Sequence, residues 1–560
     1  MADTTFWAET DGRDETFGLD ETTAFDDALD ASIFISALFA EFEGVYSGMA
    51  DAVTSSFEMG NKAYFLTGTD FVYYDGTTAG NVTDIAHVPT ITLGRKTTGG
   101  GTPNEKLNHL SNSWIDSFDP DGVATTFPLS FGGLSATLLT AILNGVDKAE
   151  TTDFTVNRTT GIITWGSVPP AGTDTLAIQA EVADLMDATV ITKNTMVKEF
   201  GGKNNSLVML AGNPDFPNAA RYSWVYDPTY WPEDSDISVG NDSRLITGFG
   251  RMSDYLITYK EPGDEFVQWY SSIELGTTGL ITVPTSGLND EFGCIAPRTV
   301  HPAQNGLLAL SDRGVVWTWP DLVKGQANCK IVSQGVNGKN GIASGILDNT
   351  KADLSLAHAE ISGNKYLLHI KDKVWVLDLD YTDLANNIYC WYPYVGTPGK
   401  AGVFFIRDSV LYIGDNVSGL IYRENQAEDA NLWVDDGEII DAWWTSPLLF
   451  LGGRSWIKKY ERIRITFKAG PWTEHTLSLI SDLGSEDIIL AQEAMTFDFR
   501  YFDFAHFSFG SSNPDYPSTQ SEKIGYKGEF MAFKIRNNDF NRGLTMLAAS
   551  IDYSLRKKVK

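Results

Sequence analysis

Apolar and polar residues alternate along most of the chain, and this pattern predicts strands rather than long helices. One phrase recurs: a tight turn, an alternating apolar strand, a second turn and an aromatic-rich strand. Its copies begin at Gly60, Met252, Gln304, Gly363 and Arg407. The last four follow one another at intervals comparable with the roughly 40–50 residues of a propeller blade. Because a lone hairpin cannot bury its apolar face, stacked copies predict a β-propeller, with a β-sandwich of unrelated hairpins as the alternative.

The stretch between the first two copies is too long for one blade and has its own pattern. Short strands at Phe154-Thr155-Val156 and Ile162–Trp165 are separated by a turn at Thr159-Thr160-Gly161. Turns at Asn144-Gly145 and at 169–172 (Pro-Pro-Ala-Gly) flank them. Such turns at this spacing are typical of a small antiparallel domain, either an Ig-like sandwich or a small barrel. We therefore expect an inserted β domain at residues 114–185.

The pattern changes again near residue 441. Charged and apolar residues alternate over Lys458–Phe467, and 532–536 and 548–553 supply further strands. Phe497–Phe509 carries aromatic residues at every second or third position, which we interpret as core. These features predict a terminal β-sandwich with one polar face per sheet. Near the other end of the chain, Ala24–Ala40 predicts a short helix.

The predicted fold is all-β: a β-propeller with an inserted small β-sandwich domain and an N- and C-terminal β-sandwich platform. The expected segments are an N-terminal arm and platform segment (1–55), the first propeller hairpins (56–113), the inserted Ig-like domain (114–185), the remainder of the propeller (186–440) and the C-terminal platform (441–560).

Composition narrows the classes of function. With 42% hydrophobic residues, a chain of 560 residues can bury large cores. A net charge of −31 argues against a grip on nucleic acid or on an anionic membrane. The first 51 residues are strongly acidic, which predicts either a solvated arm or an arm ordered against a neighbouring subunit.

The cysteines and the N-terminal sequence bear on where the protein is made. Cys294, Cys329 and Cys390 are far apart and form no CxxC, so we expect neither a disulfide framework nor a structural zinc site. The N-terminal sequence lacks the basic segment of a signal peptide. These features predict synthesis in a reducing cytoplasm, without a membrane anchor.

The sequence contains none of the common catalytic motifs that we considered. The seven histidines form no HExxH and no pair four residues apart, and there is no GxSxG. The run Gly99-Gly100-Gly101-Thr102 lacks the lysine of a P-loop. We assign no catalytic residue, cofactor or metal ligand and expect no enzyme.

An aromatic, acidic loop is the candidate ligand site. Trp224, Tyr230 and Trp231 accompany Asp227 and Asp234, which resembles a carbohydrate cleft. The three aromatic side chains are candidate glycan or fibre contacts, and Asp227 or Asp234 is the candidate acid of a glycosidase. The alternative is a solvated loop that holds buried aromatic residues.

Two basic clusters stand out, one at 458–464 and one at the C-terminus, and we expect both at subunit or ring contacts. The candidates are Lys458, Lys459, Arg462, Arg464, Arg556, Lys557, Lys558 and Lys560. The basic C-terminus is interpreted either as a frayed tail or as a segment that docks on an acidic neighbour, such as the arm at 1–51.

Several phrases resemble sequences found in bacteriophage virion proteins. They are Val88–Arg95 followed by Gly99–Thr102, Leu210–Pro214 with Tyr226–Pro232, Gly293–Val300 leading into the hairpin at 307–319, and Phe154–Gly161. Together they span roughly residues 60–320 and resemble most closely the tail nozzle proteins of short-tailed phages, also called tail tubular protein B, with packaged-DNA stabilisation proteins as a related group. The insert departs from the simplest nozzles.

The resemblance implies a structural virion protein. It implies a hexameric ring beneath the portal and adaptor rings, with propellers around the DNA exit channel, that retains packaged DNA and attaches tail fibres or other tail proteins. The location implied is the virion tail, after synthesis in the host bacterial cytoplasm. For such a ring we expect acidic residues on the channel wall, so that genomic DNA passes without tight binding. The alternative is a phage baseplate or receptor-binding protein that recognises host surface glycan.

Overall fold

The structure is a computed structural model. It describes residues 46–137, 139–201, 205–263, 266–275, 281–321, 326–338, 344–415, 417–426, 433–451, 453–454, 456–468, 470, 472–491, 517–540 and 542–558. The chain forms two compact units, Met1–Ala357 (unit one) and His358–Lys560 (unit two), which are described separately.

Unit one begins with a four-stranded antiparallel meander. Its strands are β1 (Ser55–Met59), β2 (Lys62–Leu66), β3 (Phe71–Tyr74) and β4 (Ala79–Asn81), followed by a 3-10 helix, Val82–Ile85. Gly60 and Asn61 join β1 to β2, both with φ of 60°. Positive φ at both central residues is what a type I′ hairpin turn requires, so this Gly-Asn pair fits the turn.

The next nine strands form two sheets around one core. They are β5 (Thr90–Arg95), β6 (Thr102–Pro103), β7 (Ser113–Phe118), β8 (Thr126–Pro128), β9 (Thr140–Leu143), β10 (Val146–Ala149), β11 (Phe154–Asn157), β12 (Ile162–Trp165) and β13 (Leu176–Glu181). One sheet has the order β10-β9-β13-β7-β5-β6 and the other β11-β12-β8. Trp114, Phe127 and Ile163 are fully buried between them.

This pair of sheets starts earlier than the sequence suggested. β5 runs parallel to β7, pairing Thr90 with Ile115, and β6 pairs with β5. Residues 90–103, which were expected among the first propeller hairpins, are therefore hydrogen-bonded into the sheet that contains the expected insert.

Three further four-stranded antiparallel sheets complete unit one, after the short helix α1 (Thr189–Thr192). The first contains β14 (Met196–Phe200), β15 (Leu207–Ala211), β16 (Ala219–Tyr222) and β17 (Asp236–Ser238). The second contains β18 (Ile246–Met252), β19 (Tyr255–Lys260), β20 (Gln268–Ser271) and, after the β21 (Glu274–Leu275) and β22 (Ile281–Thr282) ribbon, β23 (Thr285–Asn289). The third contains β24 (His301–Ala303), β25 (Gly306–Ser311), β26 (Gly314–Asp321) and β27 (Gln326–Ile331).

The first strands of these sheets lie side by side. β1 packs against β14, β14 against β18, and β18 against β24. Short helical turns occupy the rest of unit one: 3-10 helices Pro297–Thr299, Gln334–Val336 and Ile346–Asp348, and the helix α2 (Lys351–Ser355). In the described residues, no helix is long and apolar enough to cross a membrane.

Unit two opens with two more antiparallel sheets. The first contains β28 (His358–Ser362), β29 (Lys365–Ile370), β30 (Lys373–Asp378) and β31 (Trp391–Tyr394). After a 3-10 helix, Thr397–Lys400, the second contains β32 (Ala401–Arg407), β33 (Val410–Asp415) and β34 (Ile421–Arg423). A two-stranded ribbon follows, β35 (Val434–Asp435) and β36 (Glu438–Ile439).

The chain ends in two sheets that enclose a core of their own. One has the order β37 (Ala442–Thr445), β43 (Met531–Asn537), β39 (Glu474–Ser481) and β40 (Gly484–Ala491). In the other, β38 (Trp456–Phe467) lies between β44 (Met546–Lys558) on one side and β41 (Ser518–Lys523) with β42 (Lys527–Gly528) on the other. Ile463, Ile465 and Phe467 of β38 face Leu477 and Leu479 of β39.

The prediction of an all-β chain is confirmed for the described residues. All five recurring phrases form antiparallel hairpins, β2–β3, β19–β20, β25–β26, β29–β30 and β33–β34. The predicted helix at Ala24–Ala40, most of the N-terminal arm and the aromatic stripe Phe497–Phe509 lie outside the described residues.

A buried histidine in the terminal core predicts acid sensitivity. His475 is 2% exposed, and within the described chain neither ring nitrogen has a hydrogen-bond partner. Burial lowers its pKa to about 4, from an ordinary value of 6.5. Below pH 6.5 the unfolded chain therefore takes up a proton that the folded chain resists, and stability falls by about 1.4 kcal/mol per pH unit until pH 4.

Urea unfolding of unit two, followed by hydrogen exchange in β39 at pH 7 and pH 5, measures this effect. The His475→Leu variant is expected to lose much of the difference between the two pH values. An unchanged pH dependence in that variant would assign the acid sensitivity to other groups.

Candidate functional surfaces

The aromatic loop is largely part of the core. Trp231 is fully buried, its Nε1 donates to the Pro228 carbonyl at 2.7 Å, and its ring meets the Phe71 ring edge-on. Tyr230 is 2% exposed, and its hydroxyl donates to the Lys106 carbonyl at 2.9 Å. Neither ring is accessible to a sugar, so the hypothesis of a glycan contact is wrong for Trp231 and Tyr230. Trp224, 40% exposed, is the one of the three candidates at the surface.

The acids of this loop have local partners. Asp227 Oδ1 accepts hydrogen bonds from the Thr229 amide, at 2.9 Å, and from its hydroxyl, at 2.6 Å. Asp234 forms an exposed ion pair with Lys106 at 3.1 Å. Asp227 therefore shapes the turn and Asp234 pairs at the surface, and nothing in these contacts favours either as the acid of a glycosidase.

Sequence reasoning missed the residue that anchors this loop. The fully buried Asn108 donates from Nδ2 to the His87 and Thr229 carbonyls, both at 2.8 Å. Its Oδ1 accepts from the Trp231 amide at 3.0 Å. Since Asn108 lies 123 residues before Trp231 in the sequence, no local pattern could have linked them.

The basic residues of β38 divide between core and surface. Lys458 is fully buried, and its Nζ donates to the carbonyls of Gly453 and Glu529 at 2.5 and 2.6 Å. Its ammonium group is held by backbone carbonyls inside the sandwich, so its assignment to a subunit contact is wrong. Lys459 and Arg462 lie on the outward face of the sheet, partly exposed.

That outward face concentrates positive charge. Lys459 lies directly opposite Lys527, and Arg462 directly opposite Lys523. Like charges in directly opposed positions destabilise a sheet. Two acids on β38 and β44 offset part of this charge, since Glu461 lies 3.9 Å from Lys459 and Asp552 is directly opposite Arg462. Arg464 differs, because it makes an ion pair with Asp552 at 2.7 Å that holds the pKa of that carboxyl below its usual value.

The basic C-terminus is part of a strand. β44 extends to Lys558, with Lys557 and Lys558 in backbone register with Ile457 and Trp456. The interpretation as a frayed tail is therefore wrong as far as Lys558, and Lys560 lies outside the described residues. Arg556 is exposed.

A pocket of about 500 Å³ opens between β1, β14, β18 and the β24–β25 hairpin. Phe57, Val300 and Leu307 give it an apolar wall, and Lys198, Glu199 and Arg251 line the rest. Arg251 is held in place, with Nε donating to the Ser253 carbonyl at 3.1 Å. The mixed charge of this lining does not single out one class of ligand.

Metal and thiol chemistry find no support in the part of the chain that the structure describes. No group of His, Cys, Asp and Glu side chains there is arranged to hold a metal ion. The three cysteines are free thiols. Burial raises the pKa of the Cys294 thiol to about 12, which keeps it protonated and unreactive.

Comparisons with known proteins add little. No protein-family model matches this sequence, and no curated protein matches it. Among solved structures, the chain is similar to an exo-β-1,3-galactanase from Phanerochaete chrysosporium, at 9% identity over 82% of this chain and 100% of that one, with a TM-score of 0.20. It is also similar to PorZ, a surface component of the type-IX secretion system of Porphyromonas gingivalis, at 11% identity over 80% of this chain and 56% of that one, with a TM-score of 0.31. At such TM-scores, neither likeness bears on the activity of this chain.

Proposed function

We propose that this protein is a structural virion protein that forms the tail nozzle ring of a phage. In this proposal the ring lines the DNA exit channel, retains packaged DNA and joins tail components to the adaptor and portal. The protein is a building element of the particle and catalyses no reaction.

One observation carries the proposal: a succession of antiparallel meanders is followed by a separate pair of sheets. The meanders span 55–81, 196–238, 246–289, 301–331, 358–394 and 401–423. Five of the six have four strands, as propeller blades do, and the meander at 401–423 has three. The first strands of neighbouring meanders in unit one pack together. A propeller followed by a sandwich platform is the architecture that the resemblance to tail nozzles implies.

The outward face of β38 supports attachment to an acidic partner. The opposed basic pairs Lys459–Lys527 and Arg462–Lys523 outnumber their acidic neighbours Glu461 and Asp552, which leaves this face with an excess of basic residues. In a chain with a net charge of −31, another copy or an acidic adaptor ring supplies a neutralising surface. This face is therefore the proposed contact with the neighbouring ring.

The acidic channel wall stays a prediction. In the proposed ring the channel runs between copies, whereas the first strands of the meanders, with Glu58 and Glu199 beside Lys198 and Arg251, lie inside one copy.

The alternative, a receptor-binding protein, is weakened by burial. Two of its three aromatic anchors, Tyr230 and Trp231, lie in the core of unit one. Trp224 remains, next to the exposed Tyr226. A single tryptophan with one exposed neighbour is a poor platform for a glycan.

Loss of the chain from the particle tests the proposal. Particles assembled without it are expected to package DNA and then leak it, leaving empty heads at the end of a density gradient. A double variant, Lys459→Glu with Lys523→Glu, should give the same empty heads because it reverses the charge of the proposed contact face. A control with the same charge change elsewhere, Lys96→Glu with Lys351→Glu, should keep the DNA. Full heads in the absence of the chain would overturn the proposal.

A further inference from the structure

The last strand of the chain is an unusually exposed sheet edge. β44 is 13 residues long and pairs along one side with β38. Among the described residues no strand pairs with its other side. Leu547, Tyr553 and Leu555 on it are 54%, 39% and 49% exposed. Long edges with exposed apolar residues aggregate unless they are covered, so this edge needs a partner.

A second edge of the same unit has complementary chemistry. β40 is the terminal strand of the other sheet, and within the described chain it pairs only with β39. Glu486 and Asp487 on it are exposed, and Ile489 is 74% exposed. Both edges therefore carry exposed apolar residues, and their charges are opposite. Arg556 on β44 is basic, whereas Glu486 and Asp487 on β40 are acidic.

We propose that β44 of one copy pairs antiparallel with β40 of the next copy, so that the two sheets continue across the subunit boundary. This inference rests on the proposed ring and names the contact that builds it. The partner is a second copy of this chain.

In one register of this pairing, side chains on the same face of the sheet match in polarity and opposite charges lie opposite each other. With Arg556 opposite Asp487, Leu555 lies opposite Ile488 and Tyr553 opposite Leu490. Ile488 and Leu490 face the core of their own sandwich, and Tyr553 shares a face with the core residue Tyr460. Directly opposed residues of an antiparallel pair point to the same face, so this register places apolar residues against apolar residues.

The geometry makes the assembly directional. β40 and β44 are different edges, so each copy uses one edge to bind the copy before it and the other to bind the copy after it. Such head-to-tail contacts close into a ring when the rotation between copies permits. A twofold β44–β44 dimer would instead leave β40 unused.

Charge exchange tests the contact in the full chain. Asp487→Arg and Arg556→Asp each place like charges together, and each is expected to weaken self-association about tenfold, measured by mass photometry across a dilution series. An equimolar mixture of the two variants restores opposite charges at every contact and should recover the assembly. Leu555→Glu, which sets a charge against Ile488, should abolish it. Val123→Glu, at an exposed apolar residue of the insert, is the matched control and should assemble normally.

The outcomes separate this inference from the proposed function. If the wild type forms a ring and the Asp487→Arg and Leu555→Glu variants form the same ring, the proposed strand contact is wrong. The proposed ring itself would not be affected by that result. An assembly that responds to Leu555→Glu and ignores Asp487→Arg would also overturn it, in favour of the twofold dimer. A wild-type chain that stays monomeric would overturn the proposed function itself.

Discussion

Replacing Asp116 with alanine is expected to unfold the paired sheets at residues 90–181. The Asp116 carboxylate is fully buried and accepts four hydrogen bonds, from the Thr92 hydroxyl at 2.6 Å, the Trp114 indole at 3.0 Å, and the amide and hydroxyl of Ser130 at 2.8 and 2.6 Å. Alanine leaves these donors buried without an acceptor. Because each orphaned buried donor costs about 1–3 kcal/mol, we expect a loss of about 4 kcal/mol or more.

Hydrogen exchange of peptides from β7 and β13 measures this loss locally. A loss of 4 kcal/mol corresponds to a fall in protection of about a thousandfold. The matched control is Asp121→Ala, since Asp121 is an exposed residue whose carboxylate accepts from the Val123 and Ala124 amides in a surface turn. The control should lose less than about 1 kcal/mol. Equal protection in the two variants would contradict the role assigned to Asp116.

The second large effect is expected for Trp231→Ala. The Trp231 side chain is fully buried in the core that joins the first meander to β15, beside Phe71 and Leu210. Removing a buried tryptophan typically costs about 3–5 kcal/mol through lost burial and the remaining cavity. The lost indole hydrogen bond to Pro228 adds to that cost.

Trp224→Ala provides the comparison, because it removes the same side chain from a surface position in the same loop. We expect a loss of less than about 1 kcal/mol there. Chemical denaturation of the two variants, monitored by hydrogen exchange in β2 and β15, compares their losses of stability. A Trp231→Ala protein as stable as the wild type would mean that the loop is not a core element.

The hairpins could be predicted from sequence because their information is local. Alternation sets which face is buried, and turn residues such as Gly60 and Asn61 fix where each strand reverses. The meander at 196–238 was not recognised from the sequence. Full burial of its strand β15 does not explain this, because β25 of a recognised phrase is also buried at every position.

The site residues were harder to predict because burial depends on distant partners. Trp231 and Trp224 are similar in sequence context, yet Asn108 holds only Trp231 in the core. The neighbours Lys458 and Lys459 point to opposite faces of β38, and charge alone could not tell which was buried. The parallel β5–β7 pair was missed for a similar reason, since no local turn joins those strands.

Native mass spectrometry of the purified full chain tests whether this chain builds a closed ring. We expect one dominant species containing six copies of the 61.5 kDa chain, with an axial opening wide enough for duplex DNA in electron microscopy of the same sample. A chain that remains monomeric at every concentration, or that forms only twofold dimers, would contradict this expectation.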